Sequence, residues 1–271
     1  MDKYVVAFID LLGSRKKIET DKDGAYFKTI CKLYNLVLSL IPSIDDQEIK
    51  SKIFSDNVVF ARKITDDNEN KIANLHQMTS LVAAFQLMAI IQANTLLKGG
   101  ITFGEFYIDE NMVWGKGLIE AYDLESDKSH ILPTIVLGGE ARSVALSNPE
   151  RLIAVSELAD GELFVDYMQL NDKNSKNNAL LGFHRFAVLK IFNDIKINAE
   201  ISGKPMNNSI QAKMSFIGGY HNHWCEKMAL TSLCIDEDNW LSQYKDANMK
   251  FVASGIKNFT FQFGIPQGRN D

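Results

Sequence analysis

Two aspartates break apolar runs in the first quarter of the chain. Asp10 ends the run that starts at Tyr4, and Asp56 interrupts SKIFSDNVVFA, Ser51 to Ala61. A carboxylate at the edge of a buried segment is costly unless something pairs with it. Two carboxylates brought together repel each other. A divalent cation removes that conflict, and hard oxygen ligands suit magnesium or manganese. Two such ions clamp a triphosphate and stabilise in-line displacement at phosphorus. Taken singly, each aspartate also reads as a turn residue bonded to local amides; the pair is what points to a metal.

The elements around them decide whether they meet. Residues 4–9 read as a buried strand, 11–14 as a turn around Gly13, and 25–41 as a helix stopped by Pro42. Residues 50–54 and 58–61 flank Ser55-Asp56-Asn57 as a β-hairpin. Residues 70–97 read as one long helix ended by Gly99-Gly100. Strands follow at 101–108 and 112–114, a helix at 115–125, and strands at 131–137 and 152–155. The order β-α-β-β-α-β is that of an α+β, ferredoxin-like (split βαβ) fold: an antiparallel sheet with helices on one face. In that fold the strand of Asp10 and the hairpin of Asp56 are neighbours. Beyond them, the polar stretch 171–178 reads as a loop, 182–199 and 208–225 as helices, and 251–263 as a strand.

Composition narrows the class. A formal net charge of −5 argues against a broad basic face for nucleic acid. Three cysteines without close pairing, Cys31, Cys225 and Cys234, fit a reducing, cytoplasmic setting. The longest apolar helical stretch, 81–97, is broken by Gln86, Gln92 and Asn94 and is short for a membrane span. His221 and His223 lack a clear third ligand, so a packing role is expected for Tyr220, His221 and Trp224. Met78 and Met88 read as core.

At these residues the sequence resembles the class III nucleotidyl cyclases. FIDLLGS (Phe8 to Ser14) is similar to the family's Asp-Ile-x-Gly-Phe strand, and Lys52 to Asp56 to its Lys-Thr-Ile-Gly-Asp hairpin. GITFG (Gly100 to Gly104) matches Gly-Ile-x-x-Gly, and WGKGLIEAYDLES (Trp114 to Ser126) partly matches Trp/Tyr-Gly-x-x-Val-Asn-x-Ala-x-Arg-Leu-Glu. Three positions depart: Ile119 stands for the catalytic asparagine, Asp123 for the transition-state arginine, and Met112 for the adenine-selecting aspartate. The phrases GGITFGEFY, VWGKGLIEAYDLE, LFVDYMQL and AKMSFIGGYHN resemble the pyrimidine cyclases of bacterial Pycsar antiphage systems.

That resemblance implies a core over residues 1–165 and a C-terminal extension, 166–271, packed on the same domain. It implies conversion of UTP, favoured over CTP, to the 3′,5′-cyclic monophosphate, with two Mn2+ or Mg2+ ions per site. Asp10, Asp56 and the Leu11 carbonyl would be metal ligands. Backbone amides of Leu12, Gly13 and Ser14 would hold the β- and γ-phosphates. Lys52 matches the base-contacting lysine, although a solvated strand lysine is the commoner reading. Lys98 would supply the missing positive charge; otherwise it is a lysine favoured by a helix C-terminus, and Arg15 is a further basic candidate. A single such domain implies a homodimer with sites at the interface. The product would be read by a separate effector, a TIR NADase or a membrane protein, with no nucleic-acid or membrane partner for the cyclase itself. A binding module without catalysis is the competing reading, motivated by Ile119 and Asp123. A palm-type polymerase or diguanylate cyclase is disfavoured by net charge and by Phe54-Ser55-Asp56-Asn57 at the hairpin.

Overall fold

Alternation in the first strand demands cover on both faces. Strand β1 (Lys3–Leu11) turns Val5, Ala7, Ile9 and Leu11 to one side and Tyr4, Val6 and Phe8 to the other. All seven are buried, so neither face meets water. The computed structural model describes residues 1–40, 49–170, 179–203, 205–236 and 238–244. Turn residues and a short helix α1 (Ser14–Thr20) lead from β1 into α2 (Ala25–Leu40). A hairpin of β2 (Lys50–Phe54) and β3 (Asn57–Lys63) precedes the long α3 (Asn68–Ala93), which leads into β4 (Leu97–Glu105). The first four strands lie in the order β2-β3-β1-β4, every neighbouring pair antiparallel. This is the ferredoxin-like α+β order expected from the sequence, with α2 and α3 on one face.

The sheet then grows beyond β4. A small separate hairpin, β5 (Tyr107–Ile108) and β6 (Val113–Trp114), precedes α4 (Lys116–Ser126). Strand β7 (Ile135–Leu137) runs parallel to β4 and is followed by α5 (Gly139–Ser147). Strands β8 (Val155–Glu157) and β9 (Leu163–Val165) complete a seven-stranded sheet, β2-β3-β1-β4-β7-β9-β8. Two details go beyond the expected layout: β4 and β7 are parallel, and α4 covers the opposite face, over Tyr4, Val6 and Phe8. Glycines make that second layer possible. A Cβ on Gly104 would lie 2.6 Å from the Gly117 Cα, and one on Gly100 would lie 2.5 Å from the Leu124 Cβ. The helix therefore rests directly on the strand backbone.

The end of α3 differs from expectation. The helix stops at Ala93, not Leu97, because Asn94 takes a left-handed φ of 47° and its N–H turns back to the Ala89 and Ile90 carbonyls. Gly99 and Gly100 do not cap it; they lie within β4, where a Cβ on Gly100 would run into α4 and one on Gly99 would run into the Phe8 carbonyl oxygen of β1. The expected strand at 131–137 shrinks to β7, and that at 152–155 shifts to β8, after a 3-10 turn at Pro149–Arg151. The polar stretch 171–178 and the expected strand at 251–263 lie outside the described residues.

Helices α6 (Ala179–Ser202) and α7 (Asn208–Lys227) share one apolar core with the sheet, through Leu181, Val188, Ile217 and Trp224. A buried polar chain fixes them. Tyr167 Oη lies 2.8 Å from His184 Nε2, His184 Nδ1 lies 3.0 Å from His221 Nδ1, and His221 Nε2 lies 3.0 Å from the Leu233 carbonyl. A carbonyl only accepts, so His221 must carry its proton on Nε2. Nδ1 of His221 then accepts from His184, whose Nε2 accepts from Tyr167. Burial lowers the pKa of both histidines, that of His221 to about 4, so both are neutral at pH 7. Tyr220 donates to Asp166 and accepts from the Met168 amide. The packing role expected for Tyr220, His221 and Trp224 is what the fold displays.

Candidate functional site

One end of the sheet gathers the carboxylates. Asp10 is the next α4-facing position of β1 after Phe8, and it is flanked by Asn57 on β3 and Lys98 on β4. The β2–β3 turn has two residues, Ser55 and Asp56, and Ser55 accepts a φ of 56° to close it. That turn folds over the end of β1: the Leu11 N–H donates to the Asp56 carbonyl at 3.0 Å. The Asp56 side chain accepts from the Asn57 amide at 3.3 Å. Sequence-distant Asp10 and Asp56 thus stand side by side. Burial, then Glu125, then Asp56 push the Asp10 carboxyl up to about 6, against the opposing pull of Lys98. A raised carboxyl among like charges is poised to bind a cation in place of a proton.

The donor set at this sheet end is made of oxygens. Among the described residues no group of three or more His, Cys, Asp or Glu side chains is arranged to hold one. Two carboxylates and the Leu11 carbonyl are hard oxygen donors only. They fit an ion such as Mg2+ or Mn2+ that keeps water and substrate phosphate as its remaining ligands. The Leu11 carbonyl already accepts from the Ser14 hydroxyl at 2.5 Å, and Tyr26 Oη donates to that hydroxyl at 3.1 Å. A carbonyl has a second lone pair for a cation, and the Tyr26–Ser14 chain holds it in position.

The remaining sequence candidates fall out differently. Gly13 has a left-handed φ of 76°, which the turn after β1 requires of glycine. The Leu12 N–H, expected at phosphate, donates instead to the Leu96 carbonyl at 2.9 Å. The amides of Gly13 and Ser14 open α1, a helix of 7 residues. Lys52 reaches across to the carbonyls of Asp109 and Glu110 and ties β2 to the β5–β6 turn. Lys98 is 8% exposed, and its ammonium caps the end of α4 through the Glu125 and Asp127 carbonyls. Its favourable helix C-terminus is therefore that of α4, not of α3. Arg15 pairs with Glu19 on the surface.

Two charged residues near Asp10 were not singled out from the sequence. Glu125, at the end of α4, raises the Asp10 carboxyl, and its own carboxyl is raised by burial. Its signal was present, since Leu124-Glu125 in WGKGLIEAYDLES falls on the Leu-Glu that ends the resembled cyclase pattern. Lys213 of α7 comes within electrostatic reach of Asp10 and Glu125. No local pattern marks it, because it lies about two hundred residues from Asp10 in the chain.

Comparison with known proteins places nucleotide cyclases among the structural neighbours. The adenylyl cyclase CyaB from P. aeruginosa aligns with 60% of this chain and 93% of its own, at 14% identity and a TM-score of 0.42. The monomeric guanylyl cyclase domain of the RhoGC fusion protein from the aquatic fungus Blastocladiella emersonii aligns over 60% and 94%, at 11% identity and a TM-score of 0.46. The guanylate cyclase domain of RhGC from Catenaria anguillulae, solved in complex with GTP, aligns over 60% and 93%, at 10% identity and a TM-score of 0.43. No family model and no curated protein matches the chain. No helix among the described residues is long and apolar enough to cross a membrane.

Proposed function

We propose that this protein is a metal-dependent nucleotidyl cyclase acting on a pyrimidine nucleoside triphosphate, UTP in preference to CTP. The observation that carries the reading is the meeting of Asp10 and Asp56 at one sheet end, with the Asp10 carboxyl raised by its acidic neighbours. In the reaction the ribose 3′-oxygen bonds to the α-phosphorus as its proton leaves to solvent. The bond from that phosphorus to the β-phosphate oxygen breaks, and pyrophosphate departs with the electron pair. Mn2+ or Mg2+, when bound, acidifies the 3′-hydroxyl and neutralises the triphosphate. Asp10 and Asp56 hold the charge that recruits the cation, and the Leu11 carbonyl, fixed by Ser14, supplies a neutral oxygen beside them. The base preference and a role in antiphage signalling through a separate effector rest on the sequence resemblance to pyrimidine cyclases.

The active form is proposed to be a two-fold homodimer. Apolar side chains are exposed across the α4 face: Phe54, Tyr107, Met112, Trp114, Ile119 and Tyr122. Trp114 is 64% exposed and Ile119 60%. Several large apolar side chains exposed on one side of a folded domain favour burial against a partner. Their position beside Asp10 would put a second copy at the mouth of the site. Ile119, where the family has asparagine, fits such an interface better than a polar catalytic role.

The test is direct. Purified protein is mixed with each of the four NTPs and either manganese or magnesium, and products are identified by mass spectrometry beside Asp56→Asn. A cyclic pyrimidine monophosphate that vanishes in the variant supports the reading and identifies the base. NTP binding without any cyclic product, across both metals, refutes it in favour of a binding module.

A further inference from the structure

The site described so far is rich in carboxylates and poor in free cations. A triphosphate carries several negative charges, and metal ions bound by two aspartates neutralise only part of them. Lys98, the cation suggested by the sequence, is committed to the carbonyls at the end of α4. Asp123 stands where an arginine was expected. The charge must come from elsewhere.

A cavity of about 530 Å³ lies beside the Leu12–Gly13 turn that follows Asp10, walled on its far side by α6 and α7. Three lysines line it, Lys16, Lys17 and Lys213, against one acid, Asp194. They differ in availability. Lys17 is bonded to the Asn94 carbonyl at 3.1 Å and Thr95 Oγ1 at 2.9 Å, and its ammonium lies over the Tyr26 ring. Lys16 is on the exposed side of α1. Lys213 is half-buried, and among the described residues no hydrogen bond or ion pair holds its ammonium. A half-buried ammonium that no hydrogen bond or ion pair saturates is costly unless a ligand completes it. Its field connects it to the site: Asp10 and Glu125 both act on it, as does Lys98. Burial lowers its pKa, with Lys98 adding to the effect.

We propose that Lys213, delivered by α7, binds the polyphosphate tail of the substrate and stabilises pyrophosphate as it leaves. This rests on the cyclase reading for its catalytic part, and on the cavity alone for its binding part. It gives the C-terminal helices a role in the reaction: α7 brings a cation to a site where Lys98 and Lys52, the described sheet lysines nearest to it, are tied to carbonyls. It also accounts for the tight fixing of α7 by the His184–His221 chain, since a cation must be held to within a fraction of an ångström to favour a departing charge.

The experiment separates the two parts. Binding of inorganic tripolyphosphate with Mn2+ is measured by calorimetry for the wild type, Lys213→Ala and Lys213→Arg, each checked for an unchanged melting temperature. A charge-assisted contact predicts about 10- to 100-fold weaker binding for Lys213→Ala, with Lys213→Arg much closer to wild type. Steady-state kinetics on the preferred NTP should give a parallel loss in kcat/KM and weaker inhibition by pyrophosphate. Equal tripolyphosphate affinity in wild type and Lys213→Ala, or no binding by the wild type, overturns the inference even if cyclic product forms. Lys213-dependent tripolyphosphate binding without cyclic product from any NTP upholds it while the cyclase reading falls.

Discussion

Replacing Asp10 by asparagine should make the metal-free protein more stable, by a margin that grows from about pH 4 and is complete above about pH 6. The Asp10 carboxyl is raised from 3.8 to about 6 by burial and by Glu125 and Asp56. A raised acid binds a proton more tightly in the folded chain than in the unfolded one. Stability from this group therefore falls as pH climbs from about 4 to about 6, then stays low. Two units at about 1.36 kcal/mol each give a ceiling of about 3 kcal/mol. Asp10 is only partly buried, so solvent screening reduces this to about 1–2 kcal/mol. For a chain of this size that is a rise in melting temperature of about 2–8 °C. The assay is thermal melting in EDTA at pH 4.0, 5.5 and 7.5, read as variant minus wild type. His184 and His221 lose stability below about pH 6.5 in both proteins, and that loss cancels in the difference. At pH 7.5 with manganese the sign should reverse, because only the wild type gains from the ion. A variant that melts at or below wild type at pH 7.5 in EDTA refutes the reasoning. So does an advantage undiminished at pH 4.0.

Other outcomes follow from single contacts. Gly104→Ala puts a Cβ 2.6 Å from the Gly117 Cα, forces α4 off the sheet, and should cost about 1–3 kcal/mol in urea unfolding with loss of turnover. His221→Ala leaves His184 Nδ1 without its acceptor and the Leu233 carbonyl without its donor, an expected loss of about 2–4 kcal/mol by denaturant titration. Trp114→Glu places a charge in the proposed interface; light scattering should report monomer, with activity falling while the melting profile holds. Tyr26→Phe removes the donor to Ser14 and should raise the half-saturating manganese concentration several-fold, with KM for nucleotide less affected.

Local pattern was enough for the sheet core. The apolar run before Asp10, the turn at Ser55-Asp56-Asn57 and the GITFG strand each carry their own geometry, and together they give the β2-β3-β1-β4 order. Boundaries failed where tertiary contact overrode local preference. Gly99-Gly100 looks like a helix stop, yet the pair lies inside β4, where Gly100 must be bare beneath α4 and Gly99 bare beside the Phe8 carbonyl of β1. Asn94 looked like a polar interruption and proved to be the cap.

The chain's own order of residues thus determined which types of group are present and which strands carry them: two acidic positions at adjacent strand ends, a glycine at the first turn, lysines nearby. Only the tertiary structure decided which of those groups are available. Lys98 and Lys52 are tied to carbonyls and Leu12 gives its amide to Leu96, whereas Glu125 and Lys213 converge on Asp10 from α4 and α7. The physical reason is range. Backbone preference and hydrophobic period act over a few residues and are written locally, whereas electrostatic neighbours are chosen by how helices pack across the sheet, at separations of up to two hundred residues.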